Sequence, residues 1–202
     1  MIVIIDIGIS NIGSIKNALD YLGIKNKVSR SEIDLKNAKK VIFPGNGNFG
    51  KAMKLIKKYS LDSILNEEII NKKKPFLGIC LGYQIMLKKS EESKNIDGLG
   101  WINGKVKRFK KTKKFKVPHV GWNNIKFNKM KLVDNIPNNS KFYFDHSYYT
   151  EINETKSKYG VTNHSVDFRS VYTFNNIFGC QPHPEKSQKF GLQMIKNFCE
   201  LC

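Results

Sequence analysis

The sequence lacks any apolar run near the roughly 18–20 residues that a membrane-spanning helix needs. Its first ten residues, MIVIIDIGIS, have no basic segment, and Asp6 interrupts their apolar run, so we expect no signal peptide and a cytoplasmic protein. A hydrophobic fraction of 40% excludes a disordered chain. With 202 residues it can bury a sizeable core, and we expect one domain spanning residues 1–202.

Arginine is scarce although the formal net charge is +18, since only three of the 35 basic residues are arginine. Base reading and bidentate phosphate contacts favour arginine over lysine. The lysines are spread along the chain, with small clusters at residues 72–74 and 105–116. This distribution is typical of a solvated surface, so nucleic-acid binding is not expected.

Cysteine is also scarce, and the four cysteines do not have the spacing of a disulfide framework. Cys199 and Cys202 form a CxxC near the end of the chain, but no second CxxC supplies the other ligands of a structural zinc site. We therefore expect two cysteines on a terminal helix, and neither a metal ion nor a cofactor.

Strand-like and helix-like segments alternate through the first half. Apolar runs that end in turn residues predict buried strands, and the spacing of Ile15, Leu19 and Leu22 predicts a helix. After residue 97 the segments become short, aromatic or β-branched strands. The predicted fold is α/β, with a mostly parallel central sheet between helices and antiparallel strands added in the second half. The predicted strands are IVIID, KNKV, KKVIFPG, KPFLGIC, GKVKRF, FYFDHSYYT, YGVTNH, SVYTF and NIFGCQ, and the predicted helices are SIKNALDYLG, FGKAMKLIKKY, LGYQIMLKKSEES and FGLQMIKNFCELC.

Cys80 stands between two glycines in PFLGICLGYQ, where a predicted strand enters a predicted helix. Gly-x-Cys-x-Gly at such a junction is the nucleophile-elbow arrangement, in which glycines let the strand and helix pack closely. The helix N-terminus favours thiolate over thiol, and N–H groups of the first turn can stabilise an oxyanion. Cys80 is therefore the candidate nucleophile; the alternative is an inert buried thiol.

A cysteine nucleophile needs a base, and the segment QPHPEKS favours His183 among the four histidines. In extended chain, residues i and i+2 point to one side, so Glu185 can reach the His183 ring, and Pro184 stiffens the segment. Cys80, His183 and Glu185 together indicate acyl transfer. The alternative for this segment is a surface turn rich in proline and charge.

The segment FPGNGNFG follows a predicted strand and matches Gly-x-Gly-x-x-Gly at Gly45, Gly47 and Gly50. A dinucleotide site would place this pattern after the first strand, with an acidic residue about 20 positions on, and neither condition holds. Beside a nucleophile elbow, the loop can instead supply a second oxyanion N–H group, and we favour that interpretation.

GICLGYQ followed a hundred residues later by HPEKS resembles the class I glutamine amidotransferases. Further segments resemble, in order, the branch that forms the glutaminase subunit of imidazole glycerol phosphate synthase. The resemblance implies a three-layer, flavodoxin-like fold, and it covers essentially the whole chain. These segments are IIDIGISNIGS, PGNGNFGKAM, GLGWINGKVKRF, VPHVGWNNI, YFDHSYY and QPHPEKSQKFGLQMIKNF.

The resemblance implies that the Cys80 sulfur attacks the side-chain amide of glutamine, releasing ammonia and leaving a thioester. His183, oriented by Glu185, would be the general base and acid. The positions implied to surround the substrate are Leu81 and Gly47 as oxyanion donors, and Gln84, Ser147 and Tyr148 in the glutamine pocket.

In this family the ammonia passes through a separate (β/α)8-barrel cyclase subunit to a phosphoribosyl-type substrate. The partner-facing positions implied by the resemblance are Ser10, Asn11, His119, Trp122 and Asn123. For Trp122, ordinary packing is an equal alternative. His146 is expected in the pocket or as a satisfied strand histidine, and His164 matches no motif.

The chain departs from the family pattern at Ile7, Ser10, Asn46, Asp145 and Pro182, where tyrosine, glycine, valine, an apolar residue and phenylalanine are usual. No triad member is lost. Several of these positions lie near the expected oxyanion loop or subunit surface, so a partner that modifies surface-polysaccharide sugars is the alternative to the cyclase. A noncatalytic binding module is a third hypothesis, which the intact triad disfavours.

Overall fold

A computed structural model describes all residues, 1–202, and contains twelve strands and six α-helices. Nine strands form one twisted sheet in the order β2-β1-β3-β4-β12-β11-β10-β7-β8, and three form a small second sheet, β5-β6-β9. In chain order the strands are β1 (Ile2–Ile4), β2 (Asn26–Val28), β3 (Lys40–Phe43), β4 (Phe76–Ile79), β5 (Leu87–Ser90), β6 (Ile102–Arg108), β7 (His119–Phe127), β8 (Ser140–His146), β9 (Tyr148–Ile152), β10 (Lys158–His164), β11 (Val166–Phe174) and β12 (Ile177–Cys180).

The large sheet is parallel on one side and antiparallel on the other. Strands β2, β1, β3, β4 and β12 run parallel, and β11, β10, β7 and β8 then alternate in direction. This confirms the predicted α/β fold with antiparallel strands in the second half. The helices are α1 (Ile12–Tyr21), α2 (Glu32–Asn37), α3 (Phe49–Lys58), α4 (Leu61–Leu65), α5 (Leu81–Gln84) and α6 (Gln188–Leu201).

Two apolar clusters cover the two faces of the parallel strands. One packs Val3, Val41 and Phe76 against residues of α3 and α4, and the other packs Ile4 and Leu77 against residues of α1 and α6. Successive strand residues point to opposite faces, so strands buried on both faces read as continuous apolar runs. None of the helices has the length and apolar character needed to cross a lipid bilayer.

The predicted helix LGYQIMLKKSEES is wrong beyond its first turn. Helix α5 ends at Gln84, and residues Leu87–Ser90 form β5, which pairs with β6. Pairing within the small sheet outweighs the weak helical preference of this segment. The prediction also missed β7, in which only His119 and Ile125 are buried and the other residues are half-buried or exposed.

Candidate active site

Cys80 lies at the sharp turn between β4 and α5. Its backbone has φ 53° and ψ −103°, a strained conformation for a residue other than glycine. Its N–H donates to the Cys180 carbonyl at 2.7 Å, which fixes the turn to the neighbouring strand β12. The predicted nucleophile elbow is therefore formed.

The glycines on either side of Cys80 are required by close backbone contacts. A Cβ atom on Gly82 would lie 1.9 Å from the Phe43 carbonyl oxygen, and one on Gly78 would lie 2.4 Å from the Gly82 carbonyl oxygen. No side chain fits at either position without moving the backbone. The two glycines let the helix start directly against the strands, and this holds the cysteine at the carboxyl edge of the sheet.

His183 and Glu185 form the predicted pair immediately after β12. Nδ1 of His183 lies 2.8 Å from Oε1 of Glu185, and their side chains are only 5% and 6% exposed. The His183 N–H donates to the Tyr143 carbonyl at 2.8 Å, and Pro184 begins a short 3-10 turn. The predicted contact is formed, but not through an extended segment: only His183 is extended, with φ −95° and ψ 94°, and Glu185 lies within the 3-10 turn.

The electrostatics of His183 link it to Cys80. Burial alone would lower the pKa of His183, but the charge of the nearby Cys80 sulfur and the Glu185 carboxylate raise that pKa to about 10. Nε2 of His183 is buried and has no hydrogen-bond partner in this structure, so it is free to exchange a proton. The site thus holds a protonated imidazole ring, braced by a carboxylate, near the Cys80 sulfur.

A cavity of about 260 Å³ opens in front of Cys80. It brings together all five residues that the sequence placed around the substrate, although they come from separate segments. A larger cavity, of about 640 Å³, lies where β4 and β12 begin, at the opposite edge of the sheet, and contains no predicted site residue. The lining of the smaller cavity comprises Asn46, Gly47, Cys80, Leu81, Gln84, Glu92, Pro118, Asp145, His146, Ser147 and Tyr148.

Gln181 is a site residue that the sequence reasoning missed. It is fully buried, its Nε2 lies 3.4 Å from the Cys80 sulfur, and its Oε1 accepts from Nε2 of Gln84 at 3.0 Å. Its position two residues before His183 was an available signal, because alternate residues of an extended segment share a side.

Glu92 was missed as well, and the sequence carried no signal for it because the segment was predicted to be helical. Oε2 of Glu92 accepts the Phe49 N–H at 2.6 Å, at the start of α3, and the carboxylate faces the cavity. It places a negative charge at the rim of the site.

The backbone N–H of Leu81, the expected oxyanion donor, already has a hydrogen-bond acceptor in this structure. Its N–H donates to the Gly45 carbonyl oxygen at 3.1 Å, so it is not free to bind an oxyanion, contrary to the expectation. The reason is the close packing of the glycine loop on the elbow, where a Cβ on Gly45 would lie 2.8 Å from Cβ of Leu81. The Leu81 N–H becomes available only when the Gly45 carbonyl turns away.

Two expected partner-facing residues hold this glycine loop. The Ser10 hydroxyl donates to the Pro44 carbonyl at 2.8 Å, and the Asn11 N–H donates to Oδ1 of Asn46 at 3.2 Å. Asn11 and Asn46 also border a small cleft with His183. The turn after β1 is therefore tied to the loop that carries the candidate oxyanion donors.

The remaining three positions that were expected to face a partner differ in their exposure to solvent. His119 is only 4% exposed, which contradicts a surface role, because its ring is hydrogen-bonded to His146 inside the sheet layer. Trp122 is 46% exposed and packs edge-on against Tyr143, and Asn123 is half-buried, so for these two a partner contact stays a prediction.

The CxxC cysteines lie at the end of α6, as predicted. All four cysteines are free thiols, and no group of three or more His, Cys, Asp or Glu side chains is arranged to hold a metal ion. Burial raises the pKa of Cys199 to about 12. The Cys199 sulfur is therefore held as a thiol and is a poor nucleophile.

Solved structures of known proteins share this fold. One crystal structure of a glutamine amidotransferase matches with a TM-score of 0.77 and 17% identity, covering 98% of this chain and 97% of the other. A glutamine amidotransferase from Thermotoga maritima matches with a TM-score of 0.68 and 17% identity, covering 98% and 81%. At these identities the likeness concerns the fold alone.

Sequence relatives are much closer. Imidazole glycerol phosphate synthase subunit HisH 2 of Methanococcus maripaludis is 44% identical over 199 residues, covering 98% of each chain. The HisH 2 subunit of Pseudomonas aeruginosa is 41% identical over the full length of both chains. The model of the family "Glutamine amidotransferase class-I" matches residues 3–202. This chain therefore belongs to the class I glutamine amidotransferase family, and within it to the branch of the HisH subunits.

Proposed function

We propose that the protein hydrolyses L-glutamine to glutamate and ammonia and supplies the ammonia to a synthase partner. The observation that carries this proposal is the Cys80 sulfur at a strained elbow, facing a cavity and acting on a buried His183–Glu185 pair. Nucleophile, base and orienting carboxylate are the parts that acyl transfer requires.

In the first step the Cys80 thiolate adds to the side-chain amide carbon of glutamine, and a C–S bond forms as the carbonyl electron pair moves onto oxygen. The tetrahedral intermediate then breaks its C–N bond. His183 gives its Nε2 proton to the leaving nitrogen, so that ammonia departs and a γ-glutamyl thioester remains. Glu185 holds the ring through Nδ1 throughout.

In the second step neutral His183 takes a proton from water, and the hydroxide adds to the thioester carbon. Collapse of this intermediate breaks the C–S bond and returns the thiolate beside a protonated His183. The carboxylic acid loses its proton to solvent and leaves as glutamate. The resting ion pair is thereby restored.

The cavity lining suits the rest of the substrate. Glu92 and Asp145 place carboxylates at the cavity, where they can attract the α-ammonium group of an amino acid. Gln84 donates both of its amide N–H groups to protein oxygens, which leaves its Oε1 as an acceptor for the substrate. These contacts favour glutamine over an uncharged amide.

The oxyanion site requires a rearrangement of the glycine loop. With the Leu81 N–H bonded to Gly45, the tetrahedral intermediate lacks one of its two proposed donors, the other being Gly47. Losing one oxyanion donor costs about 10²–10³ in kcat in other hydrolases. We therefore expect weak hydrolysis by the isolated chain and faster hydrolysis when a docked partner moves the loop.

For the partner we propose the cyclase subunit of imidazole glycerol phosphate synthase, in the cytoplasm and as a heterodimer. The names of the full-length relatives support this choice. Exposed apolar side chains on β7, Val120 at 55% and Trp122 at 46% exposure, offer a docking surface beside the cavity.

The test uses affinity-tagged chain to isolate its partner from the native cell extract, followed by assays with glutamine and with an ammonium salt. We expect a cyclase to co-purify, and Cys80→Ala to abolish glutamine-dependent synthesis while ammonium still supports it. Cys199→Ser is the matched control and should retain both activities. Glutamine-dependent turnover by Cys80→Ala would contradict the mechanism, and capture of a sugar-modifying enzyme would contradict the partner.

A further inference from the structure

Three of the four histidines have no part in the proposed mechanism, yet they lie together behind the cavity wall. His119 and His146 are 4% and 6% exposed, and Nδ1 of His119 lies 2.9 Å from Nε2 of His146. The His164 ring stacks on His119 with 4.0 Å between centroids. Buried polar rings of this kind are costly unless every nitrogen has a partner.

The carbonyl of Tyr148 fixes the proton positions on these rings. A carbonyl oxygen only accepts, so Nδ1 of His146, at 2.7 Å, must carry the proton and donate. Nε2 of the neutral His146 ring then accepts from Nδ1 of His119. Nε2 of His119 in turn accepts from the Asn123 amide at 3.1 Å, and the same amide nitrogen donates to the Asn163 carbonyl at 3.0 Å.

The same carbonyl fixes the two glutamine amides on the other side. Nε2 of Gln84 donates to the Tyr148 oxygen at 3.0 Å and to Oε1 of Gln181 at 3.0 Å. The orientation of Gln181 follows, and its Nε2, not its oxygen, faces the Cys80 sulfur at 3.4 Å. Every ring and amide in the series therefore has a single hydrogen-bond direction.

We infer that these residues form an uncharged hydrogen-bond chain of two arms that meet on the Tyr148 carbonyl. Asn123, His119 and His146 donate towards that oxygen from one side. Gln84 donates to it from the other side and holds Gln181 so that an N–H donor faces the Cys80 sulfur. Asn123, His119 and His146 are positioning residues, since they act through Tyr148 and the glutamines. Only the catalytic importance of the Gln181 N–H donor rests on the proposed function. The hydrogen-bond chain itself rests on the distances given above.

The surroundings of His119 and His146 keep the hydrogen-bond chain uncharged. Burial, with the neighbouring rings, lowers the pKa of His119 and of His146 to about 3. The titratable groups that act on these two rings are all histidines: His164 acts on both, and His119 and His183 also act on His146. No carboxylate contributes. With no proton to release and amides in series, the chain orients groups but does not carry protons.

The sharpest test is Asn123→Asp, a substitution of nearly equal size. It replaces the amide donor that faces Nε2 of His119 with an acceptor and so reverses that hydrogen bond. A carboxylate only accepts, so Nε2 of His119 must donate to it while Nδ1 still donates to His146. His119 then needs a proton on both nitrogens. We expect ¹⁵N spectra of histidine-labelled protein to show one new imidazolium between about pH 5 and 8 in this variant.

The matched control is Asn123→Ala, which removes the donor without adding an acceptor and should show no imidazolium beyond that of the unchanged protein. In the unchanged protein we expect both rings to be neutral with Nδ1 protonated across this range. An Nε2-protonated ring at either position, or identical spectra for Asn123→Asp and Asn123→Ala, would overturn the inference.

A second test measures how the Gln181 N–H donor affects the reactivity of the Cys80 sulfur. Gln181→Glu replaces the N–H beside the sulfur with a carboxylate, and repulsion between like charges should slow iodoacetamide alkylation of Cys80 roughly tenfold at neutral pH. The rate is read by mass spectrometry of the Cys80 peptide, with Gln193→Glu on α6 as the control. Equal rates in Gln181→Glu and Gln193→Glu would contradict the donor. Neither test needs glutamine or a partner, so an absent glutaminase activity would overturn the proposed function alone.

Discussion

The two sides of Cys80 are built in opposite ways. On one side, His183 and Glu185 are two positions apart in the sequence, 2.8 Å apart in space, and form a buried charged pair. On the other, an uncharged series of amides and rings from α5, the residue after β12, β8 and β7 ends in an N–H facing the sulfur.

The difference separates two tasks of an active site. The charged pair can accept and return a proton, because Nε2 of His183 has no competing nitrogen or oxygen partner. On the uncharged side every ring nitrogen of His119 and His146 is hydrogen-bonded and the glutamine amides donate, so this side can hold the sulfur and the cavity wall in place without competing for the proton. A site with charges on both sides would divide the proton between them.

Substitution on the charged side should have the largest effect. We expect His183→Ala to lower glutamine-dependent kcat by about 10²–10⁴, the range for a general acid–base residue. Glu185→Ala should lower it less, because the carboxylate acts through the ring. The control His164→Gln removes a histidine that does not line the cavity and should retain most activity. Equal or reversed losses at His183 and Glu185 would contradict the assigned roles.

The uncharged side should control stability in acid. Below pH 6.5 the unfolded chain protonates His119 and His146, whereas the folded chain keeps them neutral until about pH 3. Stability should therefore fall as pH falls, by up to about 1.4 kcal/mol per pH unit for each histidine. Urea unfolding between about pH 6.5 and 5, above most carboxylate titration, measures this slope. His119→Gln should flatten it, and an unchanged slope would contradict a neutral buried ring.

The charged side should show the opposite sign. The pKa of His183 is raised to about 10, so the folded chain keeps a proton that the unfolded chain loses above pH 6.5. The folded Cys80 thiolate lacks a proton that the unfolded thiol keeps to about pH 8.5, so the two differences cancel below that pH. The net stability is therefore lost between about pH 8.5 and 10, by up to about 1.4 kcal/mol per unit. Urea unfolding between about pH 8.5 and 10 should show the slope, and His183→Gln should reduce it. A variant slope equal to the original would contradict a charged His183.

The sequence predicted the charged side because its information is local. Cys80 between glycines at a strand–helix junction, and His183 two positions before Glu185, are patterns within a few residues. The parallel strands were equally visible, since strands buried on both faces read as unbroken apolar runs. Each of these features depends on neighbours along the chain, which a single sequence shows.

The uncharged side could not be predicted in the same way. His119 meets His146 only because β7 pairs with β8 in a register that places the two residues opposite each other. Gln181 meets Gln84 across 97 positions, through the pairing of β12 with β4. The prediction for the segment that forms β5 was wrong for the same reason, because pairing with β6 determines the conformation of that segment. Local sequence patterns do not determine the pairing register of strands that are distant along the chain.

The smallest expected effect concerns the loop between the two sides. Asn46→Val removes the acceptor of the Asn11 N–H, a bond of 3.2 Å that holds the loop while Gly45 occupies the Leu81 N–H. A single hydrogen bond contributes about 0.5–1.5 kcal/mol, so basal glutamine hydrolysis by the isolated chain should rise about two- to tenfold. Asn11→Ala is the matched control, since it keeps the backbone donor and should leave the basal rate unchanged. An equal rise in both variants would show that the Asn11–Asn46 bond does not hold the loop, and full basal turnover in the unchanged chain would mean that the Gly45–Leu81 bond does not restrain the oxyanion site.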